Sequence, residues 1–221
     1  MKNFTIADKN IFLVESSEKN SPLVILHTYA TEGEQVFNLT KNLTDKNFSF
    51  AAISNLNWND EMSPWAIPPI AKNDTPCTGG ADKYLATLTE KILPEILKQI
   101  QPKYLALAGY SLAGLFAVYS AYKTKFFLRI ASASGSFWFP NFVKFTQENN
   151  LQIQPEKIYF SLGDKESKTK NKILQPVEEN TVALKNFYAE LGIETTFELN
   201  FGNHFQDGAL RMAKGIAWIL N

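Results

Sequence analysis

Ser111 carries the first chemical signal in the chain. It lies in Leu107-Ala108-Gly109-Tyr110-Ser111-Leu112-Ala113-Gly114, an apolar run followed by a turn and the start of a small-residue helix. A serine on such a strand-turn-helix corner is presented as a nucleophile, and the tight backbone there demands small neighbours two residues before and after it. Gly109 and Ala113 fill those positions. The following helix aims its N-terminal N–H groups and positive dipole end at the hydroxyl, so the Leu112 N–H is expected to donate to an oxyanion. Read as G-x-S-x-x-G, the same run is a degenerate dinucleotide fingerprint. A serine in place of the middle glycine obstructs approach to a pyrophosphate, and the mid-chain position lacks the remaining context, so this reading is set aside.

A serine hydroxyl needs a base, and the chain has two histidines, His27 and His204. Where a nucleophile elbow of this kind is used, the chain order is nucleophile, acid, histidine, with the histidine after the last strand. His204, in Asn200-Phe201-Gly202-Asn203-His204-Phe205, fits that order and is the expected general base. His27 precedes the nucleophile and is expected to be structural. The acid must lie between Ser111 and His204, just past a strand, where it can orient the imidazole. Phe160-Ser161-Leu162-Gly163-Asp164-Lys165-Glu166 supplies two carboxylates. Glu166 is the first choice and Asp164 the alternative, with a Ser-His dyad as the third possibility.

A second oxyanion donor is expected from the backbone of Thr28 or Tyr29, in the loop after the apolar run Leu23 to His27. Trp58 and Trp65, in the irregular stretch Asn55 to Gly80, and Trp138, in Ser134-Gly135-Ser136-Phe137-Trp138, are candidates for a substrate pocket wall, with plain core packing as the other reading of each. The chain shows neither an H-E-x-x-H motif, a Cys/His cluster, nor a phosphate-cradling G-x-x-x-x-G-K-[ST], so no metal and no cofactor are implied.

These residues need a scaffold that brings them together. Phe4 to Ala7 and Asn10 to Glu15 read as a short antiparallel pair. Apolar strand runs follow at Leu23 to His27, Phe48 to Ser54, Tyr104 to Ala108, Leu128 to Ala133, Lys157 to Leu162 and Ile193 to Leu199. Helical patterns between and after them cover Glu32 to Leu43, a segment opened by Asp82 and kinked at Pro94, Leu112 to Tyr122, Asn141 to Glu148, Val177 to Leu191 and Gly208 to Leu220. Alternation of this kind predicts an α/β fold with a mostly parallel central sheet and helices on both faces. At 221 residues, the expected organisation is one domain spanning 1–221.

Hydrophobic residues make up 45% and charged residues 20% of the chain, the composition of a globular protein. The 22 basic and 22 acidic residues cancel, and the densest basic stretch, Lys165 to Lys172, reads as a solvated loop, so nucleic acid is not an expected partner. Cys77 is the only cysteine, which excludes an intramolecular disulfide. With no signal-peptide pattern and no apolar run long enough for a bilayer, no membrane association is expected and the cytoplasm is the expected compartment. Composition says nothing of oligomeric state.

Taken together, the elbow at Gly109 to Gly114, the Ser132 to Trp138 segment, Ser161 to Glu166 and Gly202-Asn203-His204-Phe205 resemble the α/β-hydrolase family of esterases that includes esterase D-like and siderophore esterase-like serine hydrolases. The resemblance spans nearly the whole chain. It implies the α/β-hydrolase fold and cleavage of a small-molecule carboxylic ester through an acyl-enzyme, with nucleophile, acid and base roles falling on Ser111, Glu166 or Asp164, and His204. His27-Thr28 stands where the family has His-Gly, and some siderophore-esterase relatives are described as lacking the acid. An acyltransferase or thioesterase would use the same residues, and a non-catalytic ligand-binding member of the fold is the alternative from another class.

Overall fold

The computed structural model describes residues 1–221. β1 (Lys2–Ile6) and β2 (Lys9–Val14) form an antiparallel hairpin. β3 (Leu23–His27), β4 (Ser49–Ser54), β7 (Leu105–Tyr110), β8 (Phe127–Ala133), β9 (Lys157–Gly163) and β10 (Glu194–Asn200) complete one eight-stranded sheet, in the order β1-β2-β4-β3-β7-β8-β9-β10. Within this sheet the pairings β4–β3, β3–β7, β7–β8, β8–β9 and β9–β10 are parallel, and β1–β2 and β2–β4 are antiparallel. The expected mostly parallel sheet with an N-terminal antiparallel pair is therefore present. Central strand β3 is buried on both faces, which is why Leu-Val-Ile-Leu-His reads as an unbroken apolar run rather than an alternating one.

Helices cover both faces. α1 (Gly33–Leu43) and α8 (Gly208–Leu220) pack on one side, where Val36, Phe37, Met212, Ile216 and Ile219 meet Val24, Leu26 and the small residues of β7 and β8. The larger core on the other side is closed by α3 (Ala81–Thr87), α4 (Leu93–Leu97), α5 (Leu112–Ser120), α6 (Phe142–Glu148) and α7 (Val177–Glu190). No helix is long and apolar enough to cross a membrane.

Two segments carry more than the sequence pattern shows. At the helix opened near Asp82, where Pro94 is expected to introduce a kink, a wide π-helical turn at Leu88–Ile92 joins α3 to α4 immediately before the proline. Proline lacks an N–H and its ring crowds the carbonyl four residues back, and a wider turn removes that conflict locally. The Asn55 to Gly80 stretch is also more ordered than its composition suggested. It holds a short helix α2 (Trp58–Glu61) and a two-residue ribbon, β5 (Ala66–Ile67) against β6 (Cys77–Thr78). Asp60 ties the two parts, its carbonyl accepting from the Gly80 N–H at 2.9 Å and its carboxylate from the Thr78 hydroxyl.

Because β3 and β7 to β10 run in one direction, their carboxyl ends share one edge of the sheet. Thr28, Ser111, Ser134, Glu166 and His204 all follow those ends, at the crevice where open parallel sheets bind ligands.

Candidate active site

Ser111 turns sharply between β7 and α5, with φ 58° and ψ −125°, a conformation few side-chain-bearing residues adopt. A Cβ on Gly109 would lie 2.2 Å from the Ala113 carbonyl oxygen and 2.8 Å from its Cβ. The corner can therefore close only with glycine before the serine and a small residue after it. The hydrogen bonds from the Ser111 N–H to Ala133 O (3.2 Å) and from the Ser136 N–H to Ser111 O (3.0 Å) hold the strained residue in place.

Ser111 Oγ lies 3.0 Å from His204 Nε2, and His204 Nδ1 lies 2.6 Å from Glu166 Oε2. With the proton on Nδ1, the imidazole donates to the carboxylate and presents a lone pair to the serine hydroxyl. Asp164 does not join this chain. Its Oδ1 accepts the Gly202 N–H at 2.7 Å, so it shapes the loop that carries His204 without touching the ring. Burial pushes the Glu166 carboxyl upward, but the hydrogen bond and charge of His204, the Gly163 N–H and the Ser134 hydroxyl outweigh it and hold it below the usual carboxylate range.

The other oxygen of Glu166 is crowded with donors: the Gly163 N–H at 2.7 Å, Ser134 Oγ at 2.8 Å and Arg211 Nη1 at 2.9 Å. Arg211 was not anticipated. Its side chain is 1% exposed and its second nitrogen donates to the carbonyls of Phe201 and Asn203, each at 3.0 Å. Gly163 leaves room for it, since a Cβ there would fall 2.8 Å from Nη1. A signal for Arg211 existed in the sequence: it shares helical spacing with Gly208, Gly215 and Ile219, beside Met212 and Ile216, and so puts a charge on the apolar stripe of α8. Ser136 is a further close neighbour, its hydroxyl 3.3 Å from that of Ser111.

At the oxyanion position the two expected backbone donors already have partners of their own. The Thr28 N–H continues the sheet ladder by donating to Ile53 O at 2.9 Å, so it is not available to a ligand. The Tyr29 N–H donates to Glu32 Oε1 and the Ala30 N–H to Glu32 Oε2, both at 2.9 Å, so the Tyr29 donor is held by a carboxylate rather than standing free. Leu112, by contrast, opens α5, where an N–H has no intrahelical acceptor and sits at the positive end of the helix.

Two cavities of about 470 and about 450 Å³ meet at Ser111 and His204 and share Tyr29, Trp58 and Phe205 as walls. Trp138 and Leu112 line the first lobe; Glu32, Val36 and Met212 line the second. Trp65 lines neither. Its ring packs against Phe139, Phe142 and Phe145 and its indole N–H donates to Pro140 O at 3.2 Å, which seats it, partly buried, against the core. His27 is buried between the rings of Tyr84 and Phe116 with neither nitrogen hydrogen-bonded, and burial lowers its pKa to about 3.

Residues 15–196 match the family described as "Putative esterase". "Uncharacterized protein YbbA" from Bacillus subtilis (strain 168) is 25% identical over 138 residues, 60% of this chain and 55% of that protein, so the match spans about half of that relative's length. Among solved structures, siderophore hydrolase EstA from Aspergillus nidulans has a TM-score of 0.73 at 17% identity, covering 96% of this chain and 90% of its own. BES protein from Bacillus cereus gives 0.74 at 16% identity over the same shares, 96% and 90%. The enterobactin esterase FES from Shigella flexneri gives 0.67 at 15% identity, over 98% of this chain and 58% of that one. At such identities the likeness is one of fold, the α/β-hydrolase fold.

Proposed function

Since the chain belongs to this esterase family, we propose that it is a serine hydrolase that cleaves a small-molecule carboxylic ester through an acyl-enzyme intermediate. The observation that carries the reading is the unbroken line from Ser111 Oγ to His204 Nε2 at 3.0 Å and from His204 Nδ1 to Glu166 Oε2 at 2.6 Å. In this mechanism His204 takes the hydroxyl proton as Ser111 attacks the ester carbonyl, and Glu166 stabilises the imidazolium that forms. The Leu112 N–H receives the developing oxyanion. His204 then passes its proton to the departing alcohol, and a water molecule, deprotonated by the same histidine, releases the acid and regenerates Ser111. The lone cysteine, a free buried thiol, suits a cytoplasmic setting as part of the same proposal.

Labelling with a fluorophosphonate probe tests it. Wild type is expected to label and to hydrolyse p-nitrophenyl acetate, while Ser111→Ala does neither. A wild-type protein that fails to label beside a working serine esterase control sinks the proposal; equal labelling of Ser111→Ala moves the nucleophile elsewhere.

A further inference from the structure

Arg211 poses an energetic question. A charge taken out of water costs several kcal/mol unless geometry and hydrogen bonds compensate it closely, and this guanidinium is 1% exposed. Its partners are the segments that carry the three reactive groups. Nη1 donates to Tyr110 OH at 3.3 Å, next to the nucleophile in sequence, to Ser134 Oγ at 3.2 Å and to Glu166 Oε1 at 2.9 Å. Nη2 donates to the carbonyls of Phe201 and Asn203, directly before the histidine. The two hydrogens of Nη1 are shared among its three acceptors, and the Nε–H is buried without a hydrogen-bond partner. Tyr110 OH gives its proton to His204 O at 2.8 Å and Ser134 Oγ gives its proton to Glu166 Oε1 at 2.8 Å, so each hydroxyl keeps a lone pair for the guanidinium.

The geometry points to Arg211 as a positioning residue of the hydrolytic reaction: it locks the acid loop and the histidine loop together and fixes which oxygen of Glu166 faces the imidazole. This rests on the triad reading above. With Oε1 occupied by three donors, only Oε2 is left for His204 Nδ1. A planar five-donor fork is the one side chain that can serve both loops at once; an ammonium supplies charge but not the two divergent arms. No atom of Arg211 touches the cavity at Ser111, so its effect must pass through Glu166 and His204.

Arg211→Met, of similar reach and without charge, tests the assignment. We expect kcat for p-nitrophenyl acetate to fall about 100-fold with KM changed less than about threefold, the signature of misplaced catalytic groups rather than lost substrate binding. The acid limb of the kcat/KM profile should move up by about one pH unit. Removing the buried counter-charge of Glu166 disfavours the ionised carboxylate that orients His204, while Tyr110, the other titratable group bonded to the guanidinium, remains in place. Arg211→Lys should recover about tenfold of the lost rate without restoring the profile fully. A folded Arg211→Met enzyme with kcat within threefold of wild type and an unmoved acid limb overturns the proposal. If Arg211→Met does not fold, Arg211→Lys decides: wild-type kcat and pH profile in that variant refute the need for a fork. Fluorophosphonate labelling separates this from the underlying reading. Unlabelled wild type defeats the triad itself, whereas labelled wild type with equally fast-labelling Arg211 variants defeats only the role of Arg211.

Discussion

Replacing Glu166 with glutamine exchanges one oxygen for an NH₂ group, and the surroundings dictate which. Oε1 accepts three hydrogen bonds, one of them from a buried guanidinium, whereas Oε2 accepts one, from His204. An NH₂ at the Oε1 position would face three donors, so the amide oxygen must take that place and the NH₂ must face His204 Nδ1. Two donors then oppose each other across 2.6 Å. Relief comes from moving the imidazole proton to Nε2, which turns Nδ1 into an acceptor and leaves an N–H, not a lone pair, facing Ser111 Oγ. The enzyme then holds its base in the wrong tautomer, a change that costs about 10⁴-fold in kcat where it has been isolated in a serine triad. At about 1.36 kcal/mol per decade this is about 5.4 kcal/mol of lost transition-state stabilisation. Asp164→Asn keeps an acceptor oxygen for the Gly202 N–H and should cost less than about tenfold. Steady-state hydrolysis of p-nitrophenyl acetate, with thermal melts to establish that both variants fold, measures the contrast. A Glu166→Gln enzyme retaining a tenth of wild-type kcat, or a larger loss in Asp164→Asn, would refute the reasoning.

Stability should carry an acid signature from His27, whose folded pKa lies at about 3 against an ordinary value of 6.5. Since the folded state resists the proton that the unfolded chain accepts, this histidine's contribution is intact above about 6.5 and is lost as pH falls from there toward about 3, at about 1.4 kcal/mol per unit. Between pH 7.5 and 4.5, urea denaturation of wild type should therefore lose about 3 kcal/mol more than that of His27→Phe; equal losses would mean that the ring is not buried neutral. At the oxyanion loop, Glu32→Ala frees the Tyr29 N–H from its carboxylate partner. If that N–H is the second donor, kcat/KM for a small neutral ester rises, by up to about tenfold, and a fall or no change assigns the second donor elsewhere.

What could be read from the sequence was what local chemistry constrains. Ser111 was legible because its corner imposes small residues at fixed offsets, Gly109 and Ala113, and because an apolar strand and a helix start flank it. The parallel strands were legible because burial on both faces leaves apolar runs such as Leu23 to His27. Glu166 and Asp164 could not be told apart in the same way: they lie two residues apart in one loop, and only the turn after Gly163 sends one carboxylate to His204 and the other to the Gly202 N–H. The partners of the backbone donors were hidden for a related reason. An N–H has no residue-type signature, and the sheet ladder running one residue past β3 to claim Thr28 depends on β4, a strand distant in sequence. Trp58 and Trp65 sit seven residues apart in one irregular stretch, and which of them faces the cavity is settled by Phe139, Phe142 and Phe145 on another segment. Arg211 differs from all of these, because a charge on the apolar stripe of α8 is already an anomaly in the sequence. A buried arginine requires acceptors, and the loops nearest that face are those that follow β9 and precede α8, the same loops that hold Glu166 and His204. An apolar stripe interrupted by a charge shortly after a candidate catalytic histidine is thus a pointer to the residues around that histidine, even before any coordinate is known.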